Sequence, residues 1–196
     1  MNMTIVLGII GGLLIAGSFV PYIRDILKAD TEPHVYTWFI WSIAQAIAAY
    51  AIFEGDGGLF AALSVASGGI LSFVVFLMSF KHGTKNISDF DTATLIIALL
   101  AVVMWWKLDH PEWAIIAIAL IDLLGFLPTF RKTWHEPRSE SGTAWILFLF
   151  GNIAALLALT TYSIMTSFYI ITMIIASALL VCIIFGRKPH FDRGII

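Results

Sequence analysis

The sequence predicts an all-α integral membrane protein with seven transmembrane helices. Of its 196 residues, 60% are hydrophobic and 12% are charged, against about 45–50% and about 25% in ordinary soluble domains. The mean hydropathy is +0.93. One core of a chain this size cannot cover so much apolar surface, so we expect most of it to face lipid. The apolar runs are continuous and do not alternate, which excludes a closed β-barrel.

Seven apolar runs of about 20 residues are each long enough to cross a bilayer. They cover Met3–Leu27, Val35–Phe53, Gly58–Phe80, Thr92–Trp106, Glu112–Phe130, Thr143–Tyr162 and Met165–Gly186. Charged and turn-forming residues occupy the segments between them. The fourth run is the shortest of the seven.

The basic residues predict the orientation of the spans. Ten of the 11 Lys and Arg residues lie after the first, third, fifth and seventh spans, whereas Lys107 alone lies on the other side. By the positive-inside rule the N-terminus is outside and the C-terminus is cytoplasmic, which requires an odd number of spans. The first span has no basic residue before Arg24, so we do not interpret it as a cleaved signal peptide. We expect the chain in a plasma or inner membrane.

An internal repeat with an offset of 107 residues links the first two spans to the fifth and sixth. The matched pairs are Phe19 and Phe126, Pro21 and Pro128, Arg24 and Arg131, Trp38 and Trp145, Gln45 and Asn152, and Ala48 and Ala155. A shared Pro, Arg, Trp and amide in one register is not a compositional coincidence. Because four spans separate the copies, both copies run the same way through the membrane.

The repeat predicts a 3+1+3 organisation. Residues 1–83 form the first three-helix unit, 84–110 the linker helix, 111–190 the second unit and 191–196 a short cytoplasmic tail. This layout, with Pro21 and Pro128 at the cytoplasmic end of each unit's first helix, resembles the PQ-loop superfamily that includes the SWEET-like carriers. Members usually carry Gln after the proline, where this chain has Tyr22 and Thr129. The resemblance implies a carrier and leaves the substrate open.

Asp122 is the one acid of 13 that falls in the middle of a predicted span. It is nine residues from Trp113 and nine from Arg131, or about 13 Å from each along a helix. A carboxylate at that depth costs about 2.5–3.5 kcal/mol, so it needs a partner, a cavity or a proton. We therefore expect Asp122 to bind a coupling proton or a cationic group of the substrate. The structural alternative is a protonated Asp hydrogen-bonded to a neighbouring helix.

Four further side chains are predicted to line a substrate site at the centre of the membrane. Gln45 and Asn152 lie at the depth of Asp122, and Trp38 and Trp145 precede them by seven residues on the same helix faces. Ser18, the repeat partner of Gly125, is added from its helix face. The amides could instead join helices, and tryptophans could anchor at the headgroups. The headgroup position is assigned to Trp41, Trp105, Trp106, Trp113 and Trp134.

The matched prolines and arginines predict a cytoplasmic gate. Pro21 and Pro128 each remove a backbone hydrogen bond, so they are either paired hinges or simple helix ends. Arg24 and Arg131 follow one turn later. They anchor to lipid phosphate or close a gate against acids, the candidates being Asp25, Glu136 and Glu140.

These features favour a carrier that moves a small polar molecule across the lipid bilayer by alternating access. The alternative is a seven-helix ligand-binding receptor or sorting protein without transport. A retinal receptor is excluded because the last span has no lysine. We expect no enzyme, cofactor, metal or nucleic acid, since there is no second mid-span acid, no basic surface and a single cysteine, Cys182. The sequence leaves open whether the chain forms a homo-oligomer.

Overall fold

The computed structural model describes residues 3–54, 59–105, 111–159, 162 and 164–192, and over these residues all regular structure is helical. The helices are α1 (Met3–Leu27), α2 (Val35–Glu54), α3 (Leu59–His82), α4 (Asp89–Trp105), α5 (Pro111–His135), α6 (Gly142–Leu157) and α7 (Ile164–Asp192). The predicted all-α fold and its number of helices are thereby confirmed for the described part of the chain.

Three helix ends differ by five or six residues from the predicted spans. Helix α5 continues five residues beyond Phe130 and α7 continues beyond Gly186, whereas α6 ends at Leu157 before Tyr162. The apolar run ends at Phe130, but polar side chains of α5 still find partners there, so the helix continues. One of them is Thr133, whose hydroxyl donates to the carbonyl of Thr129 at 2.6 Å.

The helices pair in a pattern that follows the 107-residue offset. In the first set α3 packs against α2 and more loosely against α1, and in the second α7 packs against α6 and α5. Between the sets, α1 packs on α6 and α2 packs on α5. These two pairings exchange when the offset is applied. Helix α4 lies against α5 and α2.

Glycines permit the closest approach between the two sets. A Cβ added to Gly11 of α1 would lie 2.9 Å from the carbonyl oxygen of Gly151 of α6. A Cβ on Gly151 would lie 2.7 Å from a side-chain carbon of Ile15. The two backbones therefore touch at this crossing, and larger residues would separate α1 from α6.

The outside of α1 is apolar. Leu13 and Val20 are 68% and 70% exposed. By length and composition, two of the described helical stretches, Met3–Leu27 and Ser167–Lys188, could cross a membrane, with mean hydropathies of 2.3 and 2.8. A continuous apolar surface of this kind is disfavoured in water.

Candidate functional site

Asp122 of α5 and Tyr169 of α7 form a buried polar pair. The Tyr169 hydroxyl donates to Oδ2 of Asp122 at 2.8 Å, and Asp122 is 3% exposed. The other carboxyl oxygen, Oδ1, is buried and has no hydrogen-bond partner among the described residues. One oxygen is thus held in place, while the other is left to accept from a group that the described residues do not supply.

Trp41 of α2 connects the first helix set to the backbone beside Asp122. Its indole nitrogen donates to the carbonyl of Asp122 at 3.0 Å. The indole fits against α5 because Gly125 has no side chain: a Cβ there would lie 2.7 Å from the indole nitrogen. Trp41 is 8% exposed, so its assignment to the headgroup region is wrong.

Trp134, which was also assigned to the headgroup region, differs from Trp41. Trp134 is 49% exposed, as that assignment requires, and Arg187 lies 4.2 Å from its ring centre. Trp106 and the side chains of Trp105 and Trp113 lie outside the described part of the structure.

Five aromatic side chains from both helix sets pack into one layer, called here the aromatic layer. Its members are Tyr22, Trp38, Trp41, Phe126 and Trp145. Ring centres are 4.8 Å apart for Tyr22 and Trp38, 5.1 Å for Trp38 and Trp41, and 5.8 Å for Trp41 and Trp145. The indole of Trp38 also donates to the Tyr22 hydroxyl at 3.2 Å. The two predicted site tryptophans therefore come together, though in a buried layer of rings.

A buried ion pair lies beneath the aromatic layer. The ammonium of Lys132 is 2.6 Å from Oε1 of Glu140, and both side chains are fully buried. Lys132 also donates to the carbonyls of Glu32 at 2.5 Å and Ser139 at 3.1 Å. Glu140 accepts from the indole of Trp145 at 2.8 Å. The sequence offered Lys132 only as one of several loop charges, so this pair was missed.

Hydrogen bonds across the two helix sets fasten the same end of the bundle. The hydroxyls of Thr37 and Thr129 are 2.9 Å apart, and the Ser141 hydroxyl donates to Asp25 at 2.6 Å. The backbone N–H of Glu32 donates to the carbonyl of Ser139 at 3.0 Å. Since Glu32 and Ser139 are themselves 107 residues apart, the loops of the two sets meet at equivalent positions.

The matched arginines of that end have unequal partners. Arg24 pairs with Asp25 at 2.8 Å, one of the acids named from the sequence, and its side chain is 57% exposed. Arg131 instead donates to both carboxyl oxygens of Asp91, at 2.8 and 2.6 Å, and to Asn86. The predicted acid partners of Arg131 are therefore wrong, because the first turn of α4 brings Asp91 closer.

His34 is buried beside this cluster. Its Nε2 lies 3.4 Å from Asp91, and neither side chain is exposed. Burial lowers the pKa of His34 to about 4; Asp91 opposes this, and Lys132 and Arg131 add to it. For Asp91 burial acts to raise the pKa, but hydrogen bonds from Arg131 and Ser88 lower it overall. His34 is thus neutral and Asp91 charged at neutral pH.

The predicted amides and serine make local hydrogen bonds. Gln45 donates to the Ser72 hydroxyl of α3 at 3.0 Å. Asn152 donates to the carbonyl of Phe148 at 2.8 Å, and Ser18 to that of Ile15 at 2.7 Å. These bonds stay within one helix or one helix set, so they do not by themselves gather the amides around Asp122.

Both prolines lie inside continuous helices. Pro21 is followed by six more residues of α1, and Pro128 by seven more residues of α5. The interpretation of the prolines as helix ends is therefore wrong, and both side chains pack in buried positions. Each proline leaves the carbonyl four residues earlier without its usual backbone donor, which allows local bending.

The described residues contain no group of three or more His, Cys, Asp or Glu side chains that could hold a metal ion. The candidate site therefore provides one buried carboxyl group with an unpaired oxygen. The aromatic layer and the Lys132–Glu140 ion pair close the region on one side of it. No protein-family model, curated protein or solved structure matches this chain.

Proposed function

We propose that the chain is an integral membrane carrier that moves a small polar solute by alternating access. The first unit is α1–α3, the second is α5–α7, and α4 links them. The apolar exterior of α1 and the helix pairing that follows the 107-residue offset support this proposal. Parallel three-helix repeats of this kind are one of the known plans of membrane transporters.

The free oxygen of Asp122 is the observation that carries the proposal. A carboxyl group at the middle of a membrane helix is costly unless it has a partner or a function. Tyr169 satisfies only Oδ2, and Oδ1 remains unpaired although it is buried. The carboxyl group therefore binds a coupling proton or a cationic group of the solute, beside the point where Trp41 of the other unit contacts the Asp122 carbonyl.

The cytoplasmic side is closed in this conformation. In the proposed orientation, the aromatic layer lies on the cytoplasmic side of Asp122, and the Lys132–Glu140 pair lies beyond that layer. Opening requires the two units to separate at Thr37 and Thr129 and at the paired loops. Pro21 and Pro128 are placed where α1 and α5 would bend during that movement.

The test is solute exchange by the full chain in proteoliposomes. A panel of radiolabelled sugars, amino acids and polyamines is offered in counterflow, with pyranine inside the vesicles to report proton movement. We expect at least one compound to exchange in the wild type and Asp122→Asn to abolish its pH dependence. Asp89→Asn, which removes an exposed carboxylate, is the matched control and keeps wild-type exchange.

Two outcomes would contradict the proposal. Exchange by Asp122→Asn at the wild-type rate and with the wild-type pH dependence would remove the role of this carboxyl group. Saturable binding of a panel compound without flux in any condition would favour a receptor on the same helical scaffold.

A further inference from the structure

The two helix units are not equally closed. Helices α5 and α7 are joined by the Tyr169–Asp122 hydrogen bond and by Arg187, which donates to the carbonyl of Trp134 at 3.1 Å. Their counterparts under the repeat, α1 and α3, pack together only loosely. The looser packing leaves a groove along α1. Among the described residues, no contact like those between α5 and α7 fills this groove.

The groove is apolar along its length and basic at one end. It encloses about 570 Å³, and Phe19, Val20, Ile23 and Leu71 form its walls. Arg24 and Lys28 line its other end. These two residues are four apart, so they lie on the same face of the helix end. Both side chains are exposed.

The charges at this end fit an anion. Asp25 accepts from Nε and Nη2 of Arg24 through a single oxygen, and Nη1 is left for another acceptor. Lys28 follows the last residue of α1 and is exposed, so in the proposed orientation its ammonium can reach the membrane surface. Anionic lipids of the cytoplasmic leaflet are attracted to such juxtamembrane basic residues.

We propose that this groove binds one anionic phospholipid. An acyl chain lies between α1 and α3 against Phe19 and Leu71, and the phosphate group is bound by Arg24 and Lys28. The lipid would then supply the packing that Asp122 and Tyr169 provide in the second unit. The proposal rests on the membrane position and orientation of the proposed function, and it does not depend on transport.

Native mass spectrometry of the full chain tests the proposal. The protein, released from detergent, is titrated with dioleoyl phosphatidylglycerol or dioleoyl phosphatidylcholine. We expect one molecule of the anionic lipid to be retained preferentially. In Arg24→Gln/Lys28→Gln this preference falls by about tenfold or more, since each juxtamembrane basic residue contributes roughly fivefold. The control Lys85→Gln/Lys188→Gln makes the same change in net charge outside the groove and keeps the preference.

A second variant tests the apolar part independently. Ala16 is an exposed residue of the groove, so Ala16→Trp adds bulk there without burying a new polar group. We expect it to weaken retention of both lipids. Thermal unfolding in detergent shows that each variant is folded.

Four results would overturn the proposal. These are equal loss of preference in the two double variants, unchanged retention in Ala16→Trp, full displacement by glycerol 3-phosphate, and a dimer in place of the lipid-bound monomer. Displacement would indicate a headgroup site without an acyl chain, and the dimer would indicate a second copy in the groove. A chain that binds the lipid but shows no solute exchange would contradict the proposed function only.

Discussion

Lys132 illustrates what a buried charge requires. An ammonium has three N–H donors, and this one reaches the Glu140 carboxylate and the carbonyls of Glu32 and Ser139. Two of these acceptors lie in its own unit, and Glu32 lies in the other. Glu140 compensates the charge within the second unit, and the Glu32 carbonyl accepts one N–H of the ammonium from the first unit. Lys132 therefore links the buried ion pair to the loop that precedes α2.

Removal of the ammonium is expected to destabilise the closed structure strongly. In Lys132→Met the Glu140 carboxylate stays buried without its cation, and loss of one partner of such a pair costs about 3–5 kcal/mol. The free energy of unfolding, measured by circular dichroism in a detergent and denaturant series, is expected to fall by that amount. Lys85→Met at an exposed position is the control, with an expected change of about 0.5 kcal/mol or less.

The double variant Lys132→Met/Glu140→Leu distinguishes the ion pair from general packing. It removes both charges, so we expect it to be more stable than Lys132→Met alone, as found when buried pairs are replaced by apolar residues. A double variant that loses the sum of the two single losses would show that the residues act independently.

For single residues, the sequence predicts which polar side chain is unusual for its span better than it predicts the partner of that side chain. Asp122 stands out because a lone acid in an apolar run is costly wherever its helix lies. Tyr169 does not stand out, because its role depends on how α7 packs against α5. Trp41 was misplaced for a similar reason: the space for its indole is created by Gly125 on another helix. In the sequence, Lys132 is one of the basic residues that predict the orientation, and only the fold shows that it is buried.

At the scale of elements, the first turn of α4 and the segment before it contact both units at their shared end. Asp91 is held by Arg131 of α5 and lies against His34, which precedes α2. The backbone of Thr84 also donates to the carbonyl of Pro33 at 3.2 Å. The linker is therefore anchored by a charge cluster in which His34 is the neutral member.

Acidification is expected to destabilise this anchoring through His34. Its pKa is lowered from 6.5 to about 4 in the folded chain, so the unfolded chain binds more protons between these values and stability falls as pH falls. The loss is up to about 3 kcal/mol across that window. Protonated His34 would face Arg131 and Lys132 as well as Asp91. Thermal unfolding from pH 7 to pH 4 is expected to be less pH-dependent in His34→Gln.

The control for this pH series is His135→Gln, which removes an exposed imidazole at the end of α5. A wild type and a His34→Gln variant with equal pH dependence would contradict the assignment. Asp91 does not account for the window, because its pKa is lowered below the ordinary value and it keeps its charge above pH 4.

Helix bounds follow the balance between apolar runs and specific contacts. The first helix was predicted from Met3 to Leu27 and has those bounds, since its apolar run and the following turn residues agree. Helix α5 extends past its apolar run because Arg131 and Lys132 find buried partners, which composition does not reveal. The prolines show the same limit: Pro128 was equally compatible with a helix end until Thr133 and its neighbours were seen to continue the helix.

At the scale of the molecule, equivalent loops of the repeat meet, since Glu32 and Ser139 are joined by one backbone hydrogen bond. This contact lies between the proposed units, on the side that is cytoplasmic in the proposed orientation, so it would have to break if that side opens. A covalent bond at this point would hold the closed conformation without changing the aromatic layer or Asp122. A disulfide at this point therefore tests the movement of the units separately from the chemistry of the binding site.

The last prediction uses this contact. In a Cys182→Ser background, Thr129→Cys places a thiol at a buried position of the closed side. We expect a membrane-impermeant maleimide to label it slowly from the cytoplasmic face as the units separate. With Glu32→Cys and Ser139→Cys also present and oxidised to a disulfide, labelling is expected to slow by more than tenfold, and reductant restores it. Equal labelling rates with and without the disulfide would show that opening does not separate these loops. The proposal that the two units move apart on this side would then be wrong.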